Sequence, residues 1–172
     1  ICQQAPPVSI IPEPVQMVQN AGVFVLPSTI TIEAPILPAV KPTLDMLQQR
    51  LTVATGYKVL FGNEMSSAII KLSLNKTADA TIGNEGYRLN ITTANIVISA
   101  NQPAGLFYGV QTLMQLLPAE IESKTVAQNV KWQAPCVAIT DYPKLGRRGS
   151  MFDFSRHFFT KKDVKDFFVQ IL

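Results

Sequence analysis

The spacing of hydrophobic and polar positions changes several times along the chain. Gly22–Leu26 and Thr29–Glu33 are short runs of β-branched and aromatic residues separated by Pro27-Ser28, and together they read as a hairpin. From Pro42 the period lengthens. Leu44, Leu47, Leu51 and Ala54 recur at helical spacing, while Asp45, Gln48, Gln49 and Arg50 point the other way. Proline suits a first helical turn and Gly56 suits a stop, so this stretch predicts one amphipathic helix. Strand-like alternation then returns. Ile70, Leu72 and Leu74 alternate with Lys71 and Ser73; after a turn at Gly83–Gly86, Tyr87, Leu89 and Ile91 alternate with Arg88, Asn90 and Thr92, and Ile96 and Ile98 continue beyond Thr93–Asn95. That pattern predicts a second hairpin with one buried face.

A second helix is predicted from about Pro103 to Leu117, with Leu106, Phe107, Val110, Leu113, Met114 and Leu117 as its apolar stripe and Pro118 as its stop. Gly105 and Gly109 bare one side of it, which suits close packing on a sheet or on the first helix. A membrane pairing face is excluded, because the segment is short and carries Gln111 and Gln115. Ala134–Thr140 is a further strand, Asp141-Tyr142-Pro143 a turn, Arg148–Phe154 another strand, and Lys161–Leu172 the start of a helix with Val164, Phe167, Phe168 and Ile171 on one face. The expected class is α+β: one mostly antiparallel sheet with two helices on one face, followed from about residue 142 by a fresh β-α unit.

Composition narrows the classes. Of 172 residues, 47% are hydrophobic and 16% charged, which is globular material rather than a disordered tail. A net charge of +3, spread along the chain, argues against a nucleic-acid partner. No apolar run is long enough to predict a transmembrane segment. No metal-ligand spacing, phosphate loop or Ser-His-Asp arrangement occurs, so no cofactor and no metal are expected. Asn75-Lys-Thr and Asn90-Ile-Thr have the form of glycosylation sequons, a pattern short enough to arise by chance. Two cysteines make no disulfide framework; Cys136, in the apolar stretch Ala134–Ile139, is expected in the core. Cys2 follows Ile1 with no initiator Met and precedes the prolines at 6, 7, 12 and 14. It resembles either the lipidated cysteine of a bacterial lipoprotein or the remnant of signal-peptide removal, and both imply export: periplasmic, outer-membrane or secreted.

Three pieces carry a family resemblance. Gly86-Tyr87-Arg88-Leu89 with Ile96-Val97-Ile98 is similar to the EGY hairpin in the accessory domain of glycoside hydrolase family 20 β-N-acetylhexosaminidases. Pro103–Pro118 resembles that domain's second helix. Asp141-Tyr-Pro, Arg148-Gly149 and Asp153-Phe-Ser-Arg-His-Phe-Phe159 resemble the approach to the family's catalytic (β/α)8 barrel. The likeness runs from Ile11 onward and is weakest between residues 56 and 82. It implies an accessory domain over 1–141 and the first strand and helix of a truncated barrel over 142–172.

The resemblance also implies an activity for the full-length protein: removal of terminal β-linked N-acetylglucosamine or N-acetylgalactosamine. The substrate's 2-acetamido oxygen attacks the anomeric carbon, an exception to the two-carboxylate pattern. A Glu is the general acid and the Asp before it orients the acetamido group. The family's Asp-Glu pair falls beyond Leu172, so this stretch alone is expected to be inactive. The glycan is the implied partner. One site residue carries over: Arg148, matching the family arginine that donates to sugar hydroxyls, as a planar guanidinium suits. Without the motif, a salt bridge is the ordinary use of such an arginine, and Arg147 stands next to it. Asp153, Arg156 and His157 are given no catalytic part; Asp153 and Arg156 suit a local ion pair. The competing reading is a non-catalytic module, binding carbohydrate or acting as scaffold; Trp132, Tyr87 and Tyr108 lie in connecting or core-patterned stretches, which favours scaffold. A family relative whose barrel has lost its acid is a third reading. A barrel strand without its neighbours leaves Gly149, Met151, Phe152 and Phe154 open, so residues from about 147 to 172 are expected either to pair with the same segment of a second chain or to fold back onto the accessory domain's own sheet.

Overall fold

The structure is a computed structural model and describes residues 8–62, 68–146, 148–149, 151, 153, 156 and 158–171, with the backbone alone at 168–171. Cys2, Arg147, Phe152, Phe154 and His157 lie outside the described residues, as do the side chains of Phe168 and Ile171. The strands are β1 (Gln16–Val25), β2 (Thr29–Glu33), β3 (Lys58–Gly62), β4 (Ile70–Leu74), β5 (Tyr87–Ile91), β6 (Ile96–Ala100) and β7 (Gln133–Asp141); the helices are α1 (Lys41–Thr55), α2 (Pro103–Leu116) and α3 (Lys161–Ile171).

The seven strands form one sheet in the order β1-β7-β5-β6-β4-β2-β3. The β1–β7, β7–β5 and β5–β6 pairs are antiparallel; β6–β4, β4–β2 and β2–β3 are parallel. The expected mostly antiparallel sheet is thus evenly mixed. The expected first hairpin does not exist either: β1 and β2 sit in opposite halves of the sheet. Leu26, just past β1, donates its N–H to the Trp132 carbonyl at 2.8 Å, and β2 takes β3 and β4 as its neighbours. Pro27 acts as a crossing point rather than a reversal. β1 is also longer than its apolar run. A register shift between Gln19 and Val23, with Gly22 at φ 102°, breaks the alternation that would have revealed it. The β5–β6 hairpin is as expected, closed by Thr92 and Asn95.

The helix α1 ends where Gly56 takes φ 71° and donates to the Thr52 carbonyl at 3.0 Å, a left-handed cap that glycine adopts without Cβ strain. It lies beside α2, and Gln111 of α2 contacts Met46 of α1. Leu47, Leu51 and Ala54 of α1 and Leu106, Val110 and Leu113 of α2 share one core with Ile32, Ile70, Leu72, Leu89, Ile96 and Ile98. These strand residues occupy alternate positions, so both helices cover the same face. Gly105 and Gly109 give α2 its close seat on the sheet: a Cβ on Gly105 would fall 2.2 Å from the Gly86 carbonyl oxygen, and one on Gly109 2.5 Å from Ile98 Cγ2. Cys136 is buried and free, as expected of a core residue.

Beyond β7 the described residues of 148–154 belong to no strand of the sheet. Strand geometry needs backbone partners, and β7 already has β1 and β5 on its two sides. α3 begins with a reciprocal cap: Thr160 N–H and Oγ1 donate to Asp163 Oδ2 at 2.8 and 2.7 Å, and Asp163 N–H donates back to Thr160 Oγ1. Those hydrogen bonds hold the Asp163 carboxyl below its usual range. Among the described residues, no helix is long and apolar enough to cross a membrane.

Candidate functional site

Where the chain leaves β7, three segments converge. The turn Gly83–Gly86 precedes β5, the exposed flank of α2 lies above it, and residues 10–13 run alongside. Between them lies a cleft of 490 Å³ whose lining includes Tyr87, Thr112 and Asp141 deep in it and Glu85, Tyr108 and Arg148 around it.

Each wall has a sequence cause. Gly86 has no side chain, so the turn can press on the end of β7; a Cβ there would meet the Asp141 carbonyl oxygen at 2.7 Å and Tyr142 Cβ at 2.8 Å. Tyr87 then enters the sheet under α2, and its hydroxyl pairs with Thr112 Oγ1 and donates to Asp141 Oδ2 at 3.4 Å. Burial pushes the Tyr87 phenol up to about 12 despite the Thr112 hydrogen bond, with Asp141 adding to the rise. Gln115 grips the incoming chain from both sides: its Nε2 donates to the Ile11 carbonyl, and its Oε1 accepts the Ile11 N–H, both at 2.9 Å. Asp141 Oδ1 accepts the Val15 N–H at 3.1 Å. The second helix therefore has two functional faces. One is bare at Gly105 and Gly109 against the sheet; the other carries Tyr108, Gln111, Thr112 and Gln115 at i, i+3, i+4 and i+7 along the cleft.

Arg148 stands at this cleft. Its Nη2 donates to Glu85 Oε2, and the two form a solvent-exposed ion pair. Glu85 first, and Tyr108 beside it to a smaller degree, raise the Arg148 pKa above its ordinary value. The ordinary use of an arginine, a salt bridge, is thus present, and its partner comes from the EGY turn. Asp153 and Arg156 pair as expected, at 3.6 Å. Tyr108 departs from expectation. It is 39% exposed rather than buried, with its ring edge-on to Phe107. Its signal was the polar stripe it shares with Gln111 and Gln115. Glu85 belongs to the Gly83–Gly86 turn, and nothing local in the sequence marks it as reaching Arg148.

Three carboxylates line the cleft: Glu13 is exposed at its rim, Glu85 is tied to Arg148, and Asp141 accepts from Val15 and Tyr87. Neither Glu85 nor Asp141 is arranged as a free general acid. Among the described residues, no group of three His, Cys, Asp or Glu side chains could hold a metal. The arrangement can offer donors to hydroxyls and anchor a neighbouring segment.

The family profile described as Glycosyl hydrolase family 20, domain 2, matches residues 7–142. The chain belongs to that family. It is 33% identical over 162 residues to a beta-hexosaminidase of Porphyromonas gingivalis, covering 92% of this chain and 20% of that protein. It is 32% identical over 164 residues to a beta-N-acetylhexosaminidase of Cellulomonas fimi, covering 93% of this chain and 31% of that one. Among solved structures, the N-acetyl-beta-hexosaminidase of Streptomyces plicatus superposes with a TM-score of 0.77 at 32% identity, over 92% of this chain and 31% of that one. The chain thus spans between a fifth and a third of these relatives' length.

Proposed function

We propose that the chain is the front part of an exo-β-N-acetylhexosaminidase that removes terminal β-linked N-acetylglucosamine or N-acetylgalactosamine with retention, the substrate's acetamido group serving as nucleophile. The supporting observation is the family match of the sheet-and-helix body, together with the Arg148-Gly149 and Asp153–Phe159 motifs that follow it. In this reading residues 1–141 are an accessory domain and 142–172 begin the catalytic barrel. Arg148 donates to sugar hydroxyls from a position at the domain boundary. The acid and its neighbouring Asp fall beyond Leu172, so residues 1–172 bind no transition state. Export, with Cys2 lipidated or freed by signal-peptide removal, belongs to the same reading.

Within it the accessory domain is scaffold rather than sugar-capturing module. The single Trp, Trp132, is buried, and its carbonyl is taken by Leu26, so it is not free to stack on a sugar face. Tyr108 is exposed, but it lines the same cleft as Arg148 with no second aromatic ring there except the buried Tyr87 and the half-buried Tyr142 of the cleft wall.

The test is hydrolysis of 4-nitrophenyl N-acetyl-β-glucosaminide. The full-length protein releases 4-nitrophenol and residues 1–172 do not; clear turnover by the purified fragment would overturn the placement of the acid. In the full-length protein, Arg148→Ala lowers kcat/KM about ten- to a hundredfold, the usual cost of a charged donor to a bound ligand, and Arg147→Ala costs less. Equal small effects would remove Arg148 from the site.

A further inference from the structure

The Glu85–Arg148 pair joins positions 63 residues apart, and the Glu85 side of it is rigidly mounted. Gly83 holds φ +58°, and Gly86 N–H donates to the Ile82 carbonyl at 2.9 Å. Asn101 braces the turn from β6's end, donating to the Gly83 and Asp79 carbonyls at 2.7 and 2.8 Å and accepting the Asp79 N–H at 2.9 Å. Asp79 is itself paired with Arg88, whose hydrogen bond holds its carboxyl below the usual range. Gly86 packs against Asp141 and Tyr142 with no room for a Cβ. Glu85 is therefore fixed relative to the point where the chain leaves the sheet, six residues before Arg148. Tyr108, on α2, stands beside the same guanidinium.

We propose that Glu85 is a positioning residue for Arg148: a side chain of the accessory domain that fixes the arginine which the full-length enzyme turns toward its sugar. The inference rests on the reading of Arg148 given above. A guanidinium has five N–H donors in a planar fork. Nη2 can stay on the Glu85 carboxylate while another edge of the fork meets vicinal hydroxyls. An arginine already held need not be ordered at each binding event, and that ordering is what otherwise weakens binding. The two side chains keep 47% and 44% of their surface exposed, so the pair contributes little to folding. Its effect belongs in substrate affinity, which separates a positioning role from a structural one.

The experiment uses the full-length enzyme as wild type, Glu85→Gln, Arg148→Ala and the double variant, with 4-nitrophenyl N-acetyl-β-glucosaminide as substrate. Glu85→Gln raises KM about three- to tenfold, with kcat within about twofold and an unchanged thermal midpoint. Arg148→Ala costs about ten- to a hundredfold in kcat/KM, and adding Glu85→Gln to it costs less than about twofold more, because the residue Glu85 acts through is already gone. An unchanged KM in Glu85→Gln beside a crippled Arg148→Ala would overturn the positioning role and leave the reading of Arg148 standing. Multiplicative effects in the double variant would do the same, as would a lowered thermal midpoint with a matching loss of kcat. An Arg148→Ala enzyme as active as wild type would overturn both.

Discussion

The Tyr87 hydroxyl sits between Thr112 of α2 and Asp141 of β7, and its raised pKa of about 12 against an ordinary 10.0 makes a statement about stability. In the folded chain the phenol keeps its proton to about pH 12; in the unfolded chain it loses it near pH 10. The unfolded state binds fewer protons across that window, so stability falls as pH rises from 10 to 12. The contribution is roughly 2 kcal/mol at its upper end. Other tyrosines and lysines titrate there too, so the comparison that isolates it is Tyr87→Phe: urea midpoints measured from pH 8 to 12 should fall less steeply in the variant. Parallel slopes would show that the phenol gains nothing from its setting. At this scale the sequence was uneven. Cys136 and the two α2 glycines were legible from apolar context and spacing. Glu85 was not, because an exposed carboxylate in a turn shows its partner only once the chain has folded and Gly86 has drawn the turn onto β7.

Local period reveals an element when its burial is one-sided, and hides it otherwise. α1, α2, β4, β5, β6 and β7 present a buried face at regular spacing, and each was readable to within a few residues. β3 was missed. Leu60 and Phe61 are 37% and 38% exposed and the strand lies at the sheet's edge, so Lys58–Gly62 shows no clean alternation. The false hairpin has a different cause: strand propensity identifies strands but not their partners, and the parallel β2–β3 pairing is made across α1. The seat of α2 allows an element-scale prediction in which two effects oppose. On helix propensity, Gly→Ala favours an exposed helix interior by about 1 kcal/mol. Here the added methyl of Gly109→Ala meets Ile98 Cγ2, and that of Gly105→Ala meets the Gly86 carbonyl. A side chain can turn aside; a backbone oxygen in a braced turn cannot. Overpacking of this kind costs about 1–3 kcal/mol and occasionally more, so it wins. Urea unfolding of residues 1–172 should show Gly109→Ala destabilised within that range and Gly105→Ala at or beyond its top. A gain in stability at either position would mean α2 does not sit where its bare face implies.

For the whole molecule, the core among the described residues reaches no further along the chain than Ile139. Beyond Asp141, Leu145 is 68% exposed, Met151 90% and Phe158 92%. α3 is capped by its own Thr160 and Asp163, with Val164 and Phe167 half-buried. The sheet-and-helix body should therefore fold without the tail, and the tail should carry apolar surface that seeks a partner. Residues 1–141 should keep the urea midpoint of 1–172, and also its m-value, since that slope follows the surface buried on folding. Residues 1–172 should gain mass by light scattering as concentration rises, through 147–172, while 1–141 stays monomeric. A lower midpoint for 1–141 would place part of the tail in the core and move the boundary beyond 141. Strict monomers of both lengths, with the tail rapidly removed by protease, would end the association idea while leaving the body's independence intact. Self-association that survives deletion of 142–172 would point instead to the sheet's outer strand β1, where Val18, Val23 and Val25 lie open.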